Sequence, residues 1–70
     1  MQQDHTYKII EAVGSSSSNI EDAVKTAIKR SAKNVHDMKW FEVSEIRGWI
    51  DGSDVGHWQV RVKIGFTLDE

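Results

Sequence analysis

From Trp58 to Leu68 the chain alternates between apolar and polar residues. Trp58, Val60, Val62, Ile64, Phe66 and Leu68 point one way, and His57, Gln59, Arg61, Lys63 and Thr67 the other. A period of two with one apolar face marks a strand packed on a single side, here Val55–Leu68. Upstream the period lengthens. Ile20, Val24, Ala27, Ile28, Ser31, Val35 and Met38 recur at spacings of three and four, one apolar stripe of a helix over 19–38. Ser18 and Glu21 have the spacing of a capping box. Glu21 and Asp22 open the helix and Lys29, Arg30 and Lys33 come later, as its dipole favours. At the start, Thr6–Val13 is β-branched and aromatic enough for a strand. Tyr7, Ile9 and Val13 share one of its faces, and Lys8, Ile10 and Ala12 the other. The run Gly14-Ser15-Ser16-Ser17-Ser18 reads as the turn between strand and helix.

The remaining segment, Lys39–Ile50, is a strand with an interruption. Phe41 and Val43 fit a core face, which turns Trp40 and Glu42 outward. Strict alternation would then bury Glu45 and Arg47 and expose Ile46. One extra residue near Ser44-Glu45, a β-bulge, removes the conflict. Ile46, Gly48 and Ile50 then face inward, and Arg47 and Trp49 join Trp40 outside. Asp51-Gly52-Ser53-Asp54 has the residues of a tight hairpin turn. The order is therefore βαββ, an α+β fold. A right-handed crossover and the hairpin give a three-stranded antiparallel sheet of order 1-3-2 wrapped on one helix. Its outward face presents Trp40, Trp49, Arg47, Gln59 and Arg61, with Trp58 in the core.

Length and composition narrow the classes. Seventy residues make one domain, 1–70, and a chain this short buries only about 60% of its unfolded surface. Three tryptophans in so small a chain call for a partner or ligand to cover them. Cysteine is absent, which removes disulfides, thiolate metal sites and cysteine nucleophiles and favours a reducing cytoplasm. No apolar run approaches the roughly 20 residues of a membrane span, and the polar start Met1-Gln2-Gln3-Asp4 is unlike a secretion signal. Nine Lys+Arg against eleven Asp+Glu give a net charge of −2, unfavourable for a nucleic-acid binder.

Few residues point to catalysis. His5, His36 and His57 have no metal-ligand spacing and read as surface histidines. Glu42 and Glu45 lack an opposed carboxylate or nucleophile. The serines form no nucleophile elbow, although Gly14 and its serines could cradle an anion at the helix start. Trp40 admits two readings: an interface tryptophan, or a stacking face for a flat ligand. Gln59 carries an acceptor and a donor together, a match for the edge of a uracil-like ring such as the pyrimidine end of an isoalloxazine. Arg47 could meet a phosphate or hold Glu45.

Trp40-Phe41-Glu42-Val43, Ile46-Arg47-Gly48, His57-Trp58-Gln59-Val60 and Val62-Lys63-Ile64-Gly65-Phe66, in that order, resemble the dodecin family. Tyr7-Lys8 and Val13-Gly14-Ser15-Ser16 fit its beginning, so the likeness spans nearly the whole chain. The resemblance implies a cytoplasmic flavin store: a hollow homododecamer holding FMN or riboflavin in pairs between tryptophans at two-fold contacts, without turnover. It makes Trp40 the stacking tryptophan and Gln59 the group on the ring edge. Arg47 falls near the flavin or another phosphate-bearing ligand, and Glu45 near the ribityl chain. Some relatives also bind coenzyme A at a second site. Bacterial relatives often end Gly-Phe-Arg-Leu, whereas this chain reads Gly65-Phe66-Thr67-Leu68, so a phosphate-holding charge is missing at Thr67. A structural oligomer and a flavin-dependent oxidoreductase are the alternatives.

Overall fold

The structure, a computed structural model, describes residues 4–68; Met1-Gln2-Gln3 of the polar start lie outside the described residues. Strand β1 (Tyr7–Ser16) leads into helix α1 (Ile20–Ser31), followed by β2 (Met38–Asp51) and β3 (Asp54–Thr67). The sheet is antiparallel in the order β1-β3-β2, which is the expected topology.

β3 is central, paired with both other strands, and alternates from His57 onward. Its Val60, Val62 and Ile64 are fully buried against Ala23, Val24 and Ala27 of the helix. Ile10, Ala12, Ile20, Ile28 and Met38 close the margins. The small helix residues bring its backbone down onto the sheet at Gly14, where a Cβ would lie 1.9 Å from the carbonyl oxygen of Ala23. That contact requires glycine in an extended strand. It explains why Gly14–Ser16 continue β1, pairing with Val60–Trp58, where a turn is expected from composition.

The helix start also departs from expectation. Asn19, not Ser18, is the N-cap, its Oδ1 accepting from the Asp22 N–H at 2.7 Å. Ser16 completes a relay: its hydroxyl donates to Asp22 Oδ2 (2.8 Å) and accepts from the Ser18 and Asn19 N–H groups. The amides of Ser18, Asn19 and Asp22, which could have cradled an anion, are thus taken by the chain's own serine hydroxyl and asparagine oxygen, while the Asp22 carboxylate holds that hydroxyl in place. At its other end the helix stops at Ser31, seven residues short of Met38. Ala32–Asn34 form a tightened turn, and Asp37 adopts a left-handed φ of 59° that turns the chain into β2. Val35 and Met38 still bury apolar surface there, so their helical spacing reflects burial alone.

The bulge near Ser44 is present. Val43 pairs with Val62 and Glu45 with Arg61, leaving Ser44 as the extra residue. The hairpin closes through Gly52-Ser53, with Gly52 at φ 66°, the first central position where such two-residue loops take glycine. What fails is the burial of β2. Phe41, Val43 and Ile46 lie on the helix side of the sheet, opposite Ile64, Val62 and Val60, yet 38–51% of each is exposed, and Ile50 is 82% exposed. Twelve helical residues cover β1 and β3 and leave most of β2 outside their footprint. Trp58 is likewise only half-buried. The core is smaller than the pattern suggests.

Candidate functional site

The open face of the sheet carries the expected polar and aromatic groups in cross-strand rows. Glu45, Arg47 and Trp49 of β2 stand opposite Arg61, Gln59 and His57 of β3, and Glu11, Val13 and Ser15 of β1 pair with Lys63, Arg61 and Gln59. Register therefore assembles three of the four predicted residues side by side.

Arg47 and Gln59 are directly bonded, the Arg47 Nε donating to Gln59 Oε1 at 2.8 Å. Since a guanidinium has only donors, this bond fixes the amide: its oxygen faces Arg47 and its NH2 group is free to donate elsewhere. Gln59 consequently offers a ligand donors first, a narrower character than the donor–acceptor pair read from its type. One row on, the Arg61 Nε donates to Glu45 (3.1 Å), and another of its nitrogens reaches Glu11 (3.5 Å). The bond to Glu45, then the charges of Glu45 and Glu11, raise the Arg61 pKa above its ordinary value. Glu45 is therefore a compensated carboxylate, and this three-strand ion network was not visible in the sequence. The bulge at Ser44 turns Glu45 to the open face, and a further irregularity that leaves Gly56 of β3 unpaired between Trp49↔His57 and Ile50↔Val55 helps set it opposite Arg61.

Trp40 stands apart. It pairs with Gly65, and a Cβ on Gly65 would meet the indole ring at 2.3–2.4 Å. The ring lies across the central strand in the space the glycine vacates, with Tyr7 edge-on against it at 5.0 Å between centroids. It is 41% exposed, anchored on one side and open on another. Thr67, where a positive charge is missing, pairs with Tyr7 at this same end. Gln59 is six residues from Gly65 along β3, about 20 Å at the usual rise of a strand. Within one chain Trp40 and Gln59 therefore stand at separate positions along the sheet.

The comparisons with known proteins agree with this architecture. The family model described as Dodecin matches residues 6–69. The chain belongs to the dodecin family. The dodecin of Thermus thermophilus is 42% identical over 64 residues, covering 91% of this chain and 93% of that protein. The solved dodecin of Streptomyces davaonensis superposes with a TM-score of 0.91 at 40% identity, covering 97% of this chain and all of the other. That of Streptomyces coelicolor gives 0.91 and 40%, with 99% of both chains covered. These relatives are named as dodecins, and none carries an enzyme's name. For a dodecin chain, the donor set at Arg47 and Gln59 and the half-open indole fit a flat heterocycle with carbonyl acceptors on its edge. Among the described residues no group of three or more His, Asp or Glu side chains could hold a metal ion, and no helix is long and apolar enough to cross a membrane.

Proposed function

We propose that the protein stores flavin in the cytoplasm, taking FMN or riboflavin between Trp40 side chains at the subunit contacts of a homododecamer. The separation of Trp40 from Gln59 carries this reading. A stacking face and a ring-edge donor set apart within one chain suit a site built where chains meet, and dodecin family membership supplies the ligand class. Trp40 stacks, Gln59 donates to a ring carbonyl, and Arg47 holds Gln59 in the donating orientation. Glu45, compensated by Arg61, accepts from hydroxyls of the ribityl chain. Bound flavin supplies a strong light-excited oxidant. Trp40 in face contact would quench that excited state with no net chemistry. A sandwiched ring leaves no face for a substrate, which separates storage from an oxidoreductase. Coenzyme A at a second site would have to be held without the positive charge missing at Thr67.

Titrating riboflavin with the protein should quench its fluorescence, and the flavin should co-elute with a particle near twelve subunits. Trp40→Ala should weaken binding about tenfold or more, since ring stacking contributes on the order of 1 kcal/mol beyond the area it buries. Normal assembly without flavin, in a colourless particle whose Trp40→Ala variant also assembles, would identify a structural oligomer. Turnover of bound flavin with NAD(P)H would identify an oxidoreductase.

A further inference from the structure

The two ends of β2 are chemically opposite. At its start, Met38 and Phe41 join Ile28 of the helix and Ile64 of β3 around an apolar pocket of about 140 Å³, with Lys39 and Trp40 also in its wall. The pocket lies on the helix side of the sheet, away from the face that carries Arg47 and Gln59. An apolar cavity of about 150 Å³ takes a benzene-sized guest, and an isoleucine side chain is smaller. Between Lys29 and Lys39 the chain carries four cations and one carboxylate, Asp37. At the other end, the hairpin presents Ile50, 82% exposed, directly opposite an exposed Val55. Asp51 and Asp54 flank the turn between them, with no cation from 50 to 55. Among the described residues, neither these carboxylates nor Lys29, Arg30, Lys33 and Lys39 have an ion-pair partner.

We infer that the hairpin end of one copy docks on the helix side of a neighbouring copy. Ile50 enters the pocket between Ile28 and Phe41, and Asp51 and Asp54 meet Lys29 and Lys39. Three observations select this occupant. Ile50 stands twelve residues beyond Met38 along β2, about 40 Å at the usual rise of a strand, so a chain cannot fill its own pocket. Pairing of like ends would bring like charges together, whereas head-to-tail contact brings opposite charges together. The same contact covers the most exposed apolar side chain of the hairpin and the half-exposed Phe41. Because two different surfaces meet, the contact is heterologous, and in a particle of finite size it closes into a ring of copies. The inference rests on the homo-oligomer proposed above and is independent of its flavin.

Carbodiimide coupling, which joins carboxylates to amines, tests the contact in particles assembled from equal amounts of ordinary and nitrogen-15-labelled subunits. Mass spectrometry should find Asp51 or Asp54 joined to Lys29 or Lys39, with about half of these pairs carrying one label of each kind, as random mixing of copies requires. Pairs of single label only, or hairpin carboxylates joined only to other lysines, overturn the inference. A second measurement uses charge reversal. Asp51→Lys with Asp54→Lys, or Lys29→Glu with Lys39→Glu, should each raise the subunit concentration at half-assembly about tenfold or more. The four changes together should return it to within about threefold of the parent, the coupling expected of groups in contact. Losses that simply add overturn the inference. Should the reversed chains fail to fold, the cross-links of the parent decide. A monomeric parent removes this contact and the proposed oligomer together. Predicted cross-links in a particle that leaves riboflavin fluorescence unchanged uphold the contact while the flavin reading falls.

Discussion

Gly65 and Trp40 work as a pair. A central strand ordinarily gains from a side chain at every position, yet at Gly65 the missing side chain lets the indole lie flat across the backbone with Tyr7 against its edge. Adding a methyl group there forces the ring up or out, because the nearest atoms belong to a rigid indole. Gly65→Ala should therefore reduce riboflavin affinity as far as Trp40→Ala does. It should also lower stability by about 1–3 kcal/mol, the usual penalty of overpacking, and change the near-ultraviolet circular dichroism of the tryptophans. Parental binding would show that Trp40 need not lie on Gly65 to do its work. Residue types and alternation, corrected by one bulge near Ser44, place Trp40, Arg47 and Gln59 on the outward face. Their partners are another matter. The pairing of Arg47 with Gln59 and of Glu45 with Arg61 depends on register, and register depends on which residues are extra: Lys39 and Ser44 in β2 and Gly56 in β3. The network through Glu11 depends besides on a strand about fifty positions away in sequence.

Among the elements, β3 was the most legible, because one helix on one face decides the burial of Val60, Val62 and Ile64, although Trp58 toward its start is only half-buried. The limits of α1 were not. Val35 and Met38 continue an apolar stripe past the last helical residue, since a turn lying over the same core obeys the same burial. At the helix start, serines and asparagine compete for one cap, and the geometry of the Gly14 contact decides in favour of Asn19 assisted by Ser16. That relay makes Ser16, which is only 6% exposed, the most consequential serine of the run. Ser16→Ala removes the acceptor for two amides and the donor to Asp22 together. It should reduce stability by about 1–2 kcal/mol, read from the urea midpoint at fixed protein concentration. Ser17→Ala and Ser18→Ala should each change it by less than about 0.5 kcal/mol. Equal effects at the three positions would show that the relay does not anchor the helix. The exposed apolar side of β2 could not be anticipated at all, because the alternation of a strand records that one face is covered without recording by whom.

As a whole the chain is a slab of 58 × 20 × 14 Å with a radius of gyration of 14.8 Å, where a compact domain of this length would measure about 11 Å. The long β2–β3 hairpin accounts for the excess, carrying Phe41, Val43, Ile46 and Ile50 beyond the reach of the helix. Such a shape is reasonable for a building block whose remaining apolar surface is covered by other copies, and poor for a free monomer. The distance between Trp40 and Gln59 along β3 then has a genetic consequence. Two defective alleles, Trp40→Ala and Gln59→Ala, should rescue one another when their subunits are mixed. In the proposed function each would lack a different half of a site that two chains build jointly. With equal, randomly mixed subunits, about a quarter of the sites would draw an intact tryptophan from one chain and an intact glutamine from another. Riboflavin quenching should reappear in co-refolded particles to that extent, while a simple blend of the two preassembled variants stays inactive. Absence of rescue in verified mixed particles would mean that a single chain completes its own site.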